Sequence, residues 1–279
     1  MNYEINCNGR LFDVGTPRVM GILNVTADSF FADSRCDTEK KIALRAAQIA
    51  KEGGSIIDVG ACSTRPGSTT VDEQTETDRI RTALAIVKRE CPQTVVSVDT
   101  FRPQVARMAV EEFGADIIND VGAGAADNPS ADNRRMAMFR TVSSLRVPYI
   151  YMTRARDIQT ALKDCAEAVS NLRRMGQKDI LLDPGFGFGK TTTENYCLMD
   201  SMEHLQALGL PLLVGISRKT MIQNVLECTA GEALNGTTVL NTIALLKGAS
   251  ILRVHDVREA VECVKVVDAL KACNRQQQE

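Results

Sequence analysis

The sequence is poor in aromatic residues. It contains no Trp, and Phe, Tyr and Trp together make up 4% of its 279 residues. Apolar residues still account for 44% of the chain, so its core must be mainly aliphatic. No apolar run approaches the roughly 20 residues that a membrane-spanning helix needs, and the N-terminus has no apolar signal-peptide core. We therefore expect a cytoplasmic protein that has no membrane partner.

The chain also lacks a strong charge of either sign and a cysteine framework. Its net charge is −2, which offers no broad basic surface, and we expect no nucleic-acid partner. The nine cysteines are scattered, their number is odd, and no two of them have the C-x-x-C spacing. This arrangement predicts reduced thiols, and it disfavours both a disulfide scaffold and a zinc site.

What the sequence does contain is an alternation of short apolar runs with helical stretches. The predicted strands cover residues 19–24, 55–60, 94–99, 116–120, 148–152, 179–183, 211–217 and 250–255. Their apolar residues are continuous, as in parallel strands that are buried on both faces. Helices are predicted at 38–52, 72–90, 103–113, 158–175, 193–208, 219–226, 234–247 and 258–272. The connection 121–147 reads as a loop before a short helix.

Eight β–α units without a break indicate the fold class. They predict an α/β protein with a single (β/α)8 TIM barrel domain over residues 1–279, and a doubly wound parallel sheet is the alternative. An Asn8-Gly9 turn between two short strand-like segments predicts an N-terminal β-hairpin within residues 1–17. Residues 274–279 are expected to form a flexible tail.

A glycine-rich segment, "ILLDPGFGFGKT" at 180–191, looks at first like a nucleotide-binding loop. The phosphate-binding pattern G-x-x-x-x-G-K-[ST] needs four residues between its glycines, and Gly185 and Gly189 are one residue too close together. The segment also follows the sixth predicted strand and not a first β–α turn. We therefore interpret Asp183, at the end of that strand, as its functional start, and assign no phosphate to Lys190.

Nearly every predicted strand finishes with a polar side chain. These ends carry Asn24, the segment 58–65, Asp99, Asn119, Met152, Asp183, Ser217 with Lys219, and Arg253 with His255. In a TIM barrel the carboxyl ends of the strands meet at one face, where the active site lies. Caps of helices need only Ser, Thr, Asp, Asn or Gly, so Lys219, Arg253 and His255 do not fit that role.

The mixture of groups predicts a substrate with two different parts. Asp99, Asn119 and Asp183 are suited to a neutral heterocycle that is rich in N–H donors, because a carboxylate accepts a pair of N–H bonds from a planar, guanidine-like edge. An anion, most naturally a phosphate ester, would account for the cations Arg65, Lys219, Arg253 and His255. Asn24 could join them through a bound Mg²⁺, which takes few protein ligands.

Seven segments of the chain resemble the dihydropteroate synthase family. They are "MGILNVTADSF" (20–30), "DVGACSTRPG" (58–67), "SVDT" (97–100), "IIND" (117–120), "LLDPGFGFGK" (181–190), "GISRK" (215–219) and "RVHDV" (253–257). They occur in the family's order and spacing, over about residues 18–257. The resemblance implies a transferase that joins 6-hydroxymethyl-7,8-dihydropterin diphosphate to p-aminobenzoate in folate synthesis, with Mg²⁺ as cofactor, a homodimeric state, and sulfonamides as competitive inhibitors.

The resemblance also implies a role for individual residues. The pterin would be held by Asp99, Asn119, Met152, Asp183, Lys219 and Arg253, and the diphosphate by Asn24, Arg65, Arg253 and His255, with Asn24 on the metal. The p-aminobenzoate pocket would comprise Phe30, Thr64, Pro66, Phe188, Ser217 and Lys219. Asp33, Arg65, Asp99, Lys219, Arg253 and His255 would be the catalytic residues, with Asp33 as the acidic residue of the first loop.

Among the departures from the family pattern, one lies in the fifth predicted strand and one in the segment that follows the second. The segment "YIYMTRAR" lacks the family's Met-His-Met, although Met152 is retained, and Cys62 replaces a usual Glu. Cys62 is either an ordinary substitution, which we favour, or a reactive thiol activated by Arg65 and His255. Two other functions stay open: a pterin-binding methyltransferase of the corrinoid type, and a pterin-binding paralogue without catalytic activity.

Overall fold

The computed structural model describes residues 3–25, 35–62, 71–122 and 131–276. Within these ranges, eight parallel strands form a closed barrel, preceded by a two-stranded antiparallel hairpin. The hairpin comprises β1 (Glu4–Cys7) and β2 (Arg10–Asp13). The barrel comprises β3 (Arg18–Asn24), β4 (Ile56–Gly60), β5 (Val95–Asp99), β6 (Ile117–Asp120), β7 (Tyr149–Met152), β8 (Ile180–Asp183), β9 (Leu212–Val214) and β10 (Ala249–Val254). The predicted (β/α)8 barrel with its hairpin is confirmed, and the doubly wound sheet is excluded.

The helices surround the barrel and follow the predicted segments closely. They are α1 (Arg35–Lys51), α2 (Glu73–Glu90), α3 (Pro103–Phe113), α4 (Ala131–Leu145), α5 (Ile158–Arg174), α6 (Thr192–Ser201), α7 (Thr220–Leu226), α8 (Leu234–Leu246) and α9 (Val257–Gln276). The stretch predicted as one helix over 193–208 divides into α6 and a 3-10 helix, Met202–Leu208. Helix α9 continues through Gln276, so it includes the first three residues of the predicted tail. Over the part of the chain described, no helix combines the length and the apolar character needed to cross a membrane.

Local chemistry explains where several helices begin. The side chains of Asp72 and Asp157 accept backbone N–H bonds at the starts of α2 and α5, and Thr191 forms a reciprocal capping box with Glu194 at the start of α6. Pro103 occupies the first turn of α3, where no backbone donor is needed. These signals lie in the sequence itself, which is why the predicted starts of these helices agree with the structure within about two residues.

The hairpin closes the N-terminal end of the barrel. Asn8 and Gly9 have φ angles of 52° and 83°, the conformation that a tight two-residue hairpin turn requires. Ile5, Cys7 and Val14 project from the hairpin into the same apolar cluster as the bottom of the barrel. Burial there raises the pKa of Cys7 to about 12, which keeps the thiol protonated.

One apolar residue from each barrel strand completes this cluster, which we call the barrel floor. It comprises Met20, Ile56, Val95, Ile117, Ile150, Leu181, Leu213 and Ile251, together with the three hairpin residues. The larger second cluster lies between the strands and the helices. Both faces of each strand are therefore buried, which explains the continuous apolar runs in the sequence.

Candidate active site

The candidate site begins one layer above the barrel floor. Side chains alternate along a strand, so the residue two positions after each floor residue also points into the barrel. These positions are Ile22, Asp58, Ser97, Asn119, Met152, Asp183, Gly215 and Arg253. Eight apolar side chains in the floor are followed, two residues later along each strand, by a mainly polar set. The result is a polar pocket above an apolar floor.

Arg253 lies at the centre of this layer, between two carboxylates. Its Nε donates to Asp58 Oδ2 at 2.6 Å and its Nη2 donates to Asp99 Oδ2 at 2.7 Å. Asn119 Nδ2 donates to the same Asp58 oxygen at 3.1 Å. These bonds link β4, β5, β6 and β10, and they join four polar side chains in one network inside the barrel.

Two oxygens of this cluster are left for a ligand. Asp58 Oδ1 and Asn119 Oδ1 are buried and have no hydrogen-bond partner in the structure. A buried acceptor without a donor costs about 1–3 kcal/mol, and such exceptions in a native structure point to a missing partner. Both atoms are acceptors, so the partner must present donors, as an N–H-rich heterocycle does.

The charges in this cluster influence one another strongly. Burial raises the pKa of Asp99 above its ordinary value; Arg253 opposes this rise and Asp58 adds to it. Burial by itself would lower the pKa of Arg253, but the carboxylates of Asp58 and Asp99 raise it above its ordinary value. The guanidinium therefore stays charged and compensates much of the negative charge in the pocket.

Asp183 forms the opposite side of the pocket. It lies at the end of β8, in register with Met152 at the end of β7, and both side chains are buried. Its Oδ1 accepts the backbone N–H of Gly185 at 2.7 Å, which fixes the carboxylate at the start of the glycine loop. Burial raises the pKa of Asp183, and the Lys219 ammonium is the main opposing influence. The departure in strand β7 thus leaves Met152 inside the barrel.

Lys219 joins this side of the pocket to the loop that follows β9. It occupies the position before α7 without capping the helix. Its Nζ donates to the backbone carbonyl of Phe186 and lies 4.6 Å from the centroid of the Phe188 ring. Burial lowers the pKa of Lys219 to about 8, although Asp183 raises it in opposition. An aromatic face and an ammonium group are therefore adjacent where the sequence predicts an arylamine pocket.

A network of hydrogen bonds between the residues that follow β9 and β10 brings Ser217 and His255 together. The His255 backbone N–H donates to Ser217 Oγ at 3.1 Å, and Arg45 Nη2 donates to the His255 carbonyl at 2.6 Å. Arg218, in a left-handed conformation with φ 57°, makes a two-pronged ion pair with Asp256 at 2.8 and 2.9 Å. The backbone on either side of Ser217 and His255 is thereby fixed.

Asn24 lies at the end of β3, beside Gly60. A Cβ placed on Gly60 would lie 3.1 Å from Asn24 Oδ1 and 3.5 Å from Asp99 Oδ2, so a side chain there would crowd the Asn24 amide oxygen. Amide and carboxylate oxygens are hard donors of the kind that Mg²⁺ prefers. Among the residues described, no group of three or more His, Cys, Asp or Glu side chains is arranged to hold a metal.

A fully buried carboxylate, Glu76 of α2, lies next to the site. It accepts from Thr100 Oγ1 at 2.6 Å and pairs with Arg102, which also donates to the carbonyl of Val71 at 2.5 Å. Burial raises the pKa of Cys62, and Glu76 raises it further. The environment described therefore disfavours the thiolate, in agreement with an ordinary substitution at this position.

Five predicted site residues belong to the two segments that follow β3 and β4. Phe30, Asp33, Thr64, Arg65 and Pro66 lie outside the described residues. The structure also adds Asp58, which the sequence identified only as the start of a polar segment. Asp58 lies two residues after Ile56, the spacing that also places Asn119 and Asp183 inside the barrel, and this register becomes visible only once the floor residues are known from the structure.

Comparison with known proteins defines the class to which this barrel belongs. Residues 20–255 match the model of a family described as pterin binding enzyme. This range includes every barrel strand residue of the polar layer. The buried acceptor oxygens without a partner require a ligand that presents N–H donors. The family match identifies a pterin as the heterocycle that this class of barrel recognises.

The relatives are more specific. The chain is 36% identical to dihydropteroate synthase of Bacillus subtilis, over 90% of this chain and 88% of the relative, and 34% identical to that of Escherichia coli, over 95% and 96%. A solved structure of the Xanthomonas albilineans dihydropteroate synthase with 4-aminobenzoic acid superposes with a TM-score of 0.84 at 34% identity, covering 98% of this chain and 99% of that one. The protein belongs to the dihydropteroate synthase family of pterin-binding enzymes.

Proposed function

We propose that this protein condenses 6-hydroxymethyl-7,8-dihydropterin diphosphate with p-aminobenzoate to give 7,8-dihydropteroate and diphosphate. The observation that carries the proposal is the polar layer of the barrel, in which Asp58 and Asn119 keep unpartnered acceptors beside the Arg253 guanidinium. Solved relatives from Xanthomonas albilineans contain 4-aminobenzoic acid in one case and 7,8-dihydropteroate in another, at 34% and 31% identity. These are the second substrate and the product of the proposed reaction.

Recognition of the pterin follows from the direction of each hydrogen-bonding group. The pterin presents a guanidine-like edge of N–H donors, and Asp183, Asp99 and Asn119 supply acceptors around it. An ionised carboxylate in a buried site binds such an edge through two parallel bonds. Arg253, held in place by Asp58 and Asp99, offers its flat face for stacking on the ring.

The diphosphate would lie above this layer, where Asn24, His255 and Arg253 end their strands. Arg65 is assigned to the same group from the sequence. Asn24 is the residue that would hold Mg²⁺, since its amide oxygen is a hard donor that lies beside Gly60. When bound, the ion neutralises charge on the diphosphate and makes it a better leaving group. A single protein amide suits a cation whose other ligands are water and phosphate oxygens.

The reaction itself requires positioning and charge stabilisation more than a covalent nucleophile. The bond between the pterin methylene carbon and the diphosphate oxygen breaks, and the electron pair leaves with the diphosphate. The cation on the methylene is stabilised by the electron-rich ring and by the carboxylates of Asp99 and Asp183. The lone pair of the arylamine then forms the new C–N bond, and the resulting ammonium releases its proton to solvent. Phe188 and Lys219 border the position from which the amine attacks.

A reconstituted assay tests the proposal. The purified protein, incubated with the pterin diphosphate, p-aminobenzoate and Mg²⁺, should release dihydropteroate and diphosphate in equal amounts. A paralogue without activity would bind the pterin and form no product. A pterin-binding methyltransferase would likewise form none, since it has no use for the diphosphate. Either result would overturn the proposal.

Sulfonamides should compete with p-aminobenzoate for the pocket bordered by Phe188, Ser217 and Lys219. A solved relative from Yersinia pestis, 29% identical to this chain, contains a pterine-sulfa conjugate. Initial rates are measured over a range of p-aminobenzoate concentrations at several fixed sulfonamide concentrations. Double-reciprocal plots of these rates should give lines that meet at a common maximal rate. An uncompetitive pattern would contradict the shared pocket.

We also propose a homodimer formed by the helices of the barrel. Helices α7, α8 and α9 expose a set of large apolar side chains, Val225, Leu226, Val239, Leu246, Val266 and Leu270, each 49% to 66% accessible. These helices pack beside one another, and large exposed apolar side chains on neighbouring helices are typical of a protein interface.

A further inference from the structure

Lys190, the lysine of the segment that resembles a phosphate-binding loop, has a specific place in the structure. It is half-buried, and its Nζ donates to the carbonyl of Gly185, five residues earlier, at 2.7 Å. The side chain therefore spans the glycine loop and closes it. A Cβ placed on Gly185 would meet Lys190 Nζ at 3.3 Å and Met152 Cγ at 3.1 Å, so the ammonium lies on the β7 side of the loop.

The glycine loop is ordered by bonds to its backbone. Gly185 N donates to Asp183 Oδ1 at 2.7 Å, and Gly187 N donates to Asn195 Oδ1 at 2.7 Å. Gly185 has φ 71°, a left-handed conformation in which its N–H faces Asp183 while its carbonyl faces Lys190. Lys190 and the pterin-side carboxylate are thus connected through a single residue.

The same arrangement places positive charge near Asp183. Burial raises the pKa of Asp183, and the groups that oppose this rise are Lys219, the Gly185 N–H, Lys190 and Arg253. Burial also lowers the pKa of Lys190 to about 8; Arg154 and Arg156 lower it, while Asp183 and Glu194 raise it. Asp183 needs to be ionised to accept a pair of N–H bonds, so every nearby cation favours binding.

We propose that Lys190 is a positioning residue for the pterin: it braces Gly185 so that Asp183 keeps its orientation, and its ammonium keeps that carboxylate ionised. This inference rests on the proposed function, because it assumes that Asp183 binds the pterin. Lys190 differs from Lys219 in acting without contact with the ligand. It bridges the loop from the β7 side, whereas Lys219 lies over the Phe188 ring.

Binding of 6-hydroxymethylpterin, measured by calorimetry between about pH 6 and pH 9, separates bracing from charge. Lys190→Met should weaken binding by about tenfold near pH 6, because it removes both the charged hydrogen bond that braces Gly185 and an ammonium that favours the ionised form of Asp183. The ratio of the dissociation constants of variant and wild type should shrink above pH 8, where wild-type Lys190 loses its own charge. Taking this ratio cancels the titration of the free pterin, which is the same for both proteins.

Three further variants make the test specific. Lys190→Arg keeps the charge and should bind better near pH 6 than Lys190→Gln, which keeps only a donor. Lys163→Met changes an exposed lysine of α5 and should leave binding unchanged at every pH. A ratio that is constant with pH, or an Arg variant no better than Gln, would overturn the role of the charge. Affinity unchanged in Lys190→Met would overturn the whole inference, whereas absence of binding by the wild type would overturn the proposed function instead.

Discussion

Arg253 shows how a single residue sets both the stability and the chemistry of this site. Its side chain is only 16% exposed and separates two carboxylates, of which Asp58 is fully buried. Without the guanidinium, Asp58 and Asp99 would face each other in a pocket that water enters poorly. Like charges that share a buried site raise one another's pKa, so one of the two would take up a proton.

Arg253→Met should therefore reduce both stability and turnover. Removal of one partner from a buried ion pair costs about 3–5 kcal/mol, and loss of a preorganised cation costs about 100-fold or more in kcat/KM. Urea unfolding and steady-state kinetics measure the two effects. Arg107→Met is the matched control, because the partly exposed Arg107 lies on α3 and pairs with Glu111 of the same helix. Near-normal kcat/KM in Arg253→Met would remove Arg253 from the site.

The half-buried Lys219 predicts a dependence of stability on pH. Its pKa is about 8 in the folded protein and about 10.4 in an unfolded chain. Between these values the unfolded chain binds more protons, so the contribution of Lys219 to the free energy of unfolding rises with pH from about 8 to about 10.4. Urea unfolding of wild type and Lys219→Met over this range should give a difference that grows in favour of the wild type. Parallel pH profiles would contradict the buried position of the ammonium.

At the scale of elements, the glycine loop after β8 contains two glycines, Gly185 and Gly189, whose substitutions can be compared. Gly185 and Gly189 both have left-handed φ angles, 71° and 65°. A Cβ on Gly185 would lie 2.1 Å from the carbonyl oxygen of Thr153, whereas a Cβ on Gly189 would meet nothing within 4 Å. The two substitutions therefore share the backbone strain and differ in the steric clash.

Gly189→Ala should cost only the strain of a left-handed residue, roughly 1–2 kcal/mol, with turnover close to normal. Gly185→Ala should cost clearly more, because the ends of β7 and β8 must separate and Asp183 loses its backbone partner. Its pterin affinity should fall as well. Thermal unfolding and pterin binding of the two variants provide the comparison, and equal effects would contradict the close approach at Gly185.

The sequence predicted these elements well and their side-chain directions less well. Apolar runs and caps located the strands and helices because those signals are local. The role of Asp58 was hidden, because strands buried on both faces show no alternation that would tell an inward residue from an outward one. The division of the predicted 193–208 helix also depends on packing, since Met202 and Leu205 are buried in the outer core. The hydrogen bond from Lys190 to Gly185 requires the loop geometry, which no spacing rule supplies.

At the scale of the whole molecule, the exposed apolar side chains of α7, α8 and α9 predict the oligomeric state. Val239→Glu combined with Val266→Glu places two charges in the proposed interface, on side chains that are 50% and 66% exposed in the single chain. The variant should be monomeric in multi-angle light scattering, whereas the wild type should be a dimer. Leu11→Glu alters an equally exposed side chain of the hairpin and should leave the dimer intact. A monomeric wild type would contradict the interface.

The barrel floor has a consequence for how such a protein changes over time. Each strand contributes to stability at one position and to recognition two residues later, as Ile56 and Asp58 do on β4. Exchanges among aliphatic residues of the floor alter the margin of stability without moving a hydrogen-bonding group of the pocket. Conversely, a new specificity can arise in the upper layer while the floor and the hairpin preserve the scaffold. The positions that tolerate exchange and the positions that determine specificity thus lie about 7 Å apart along each strand.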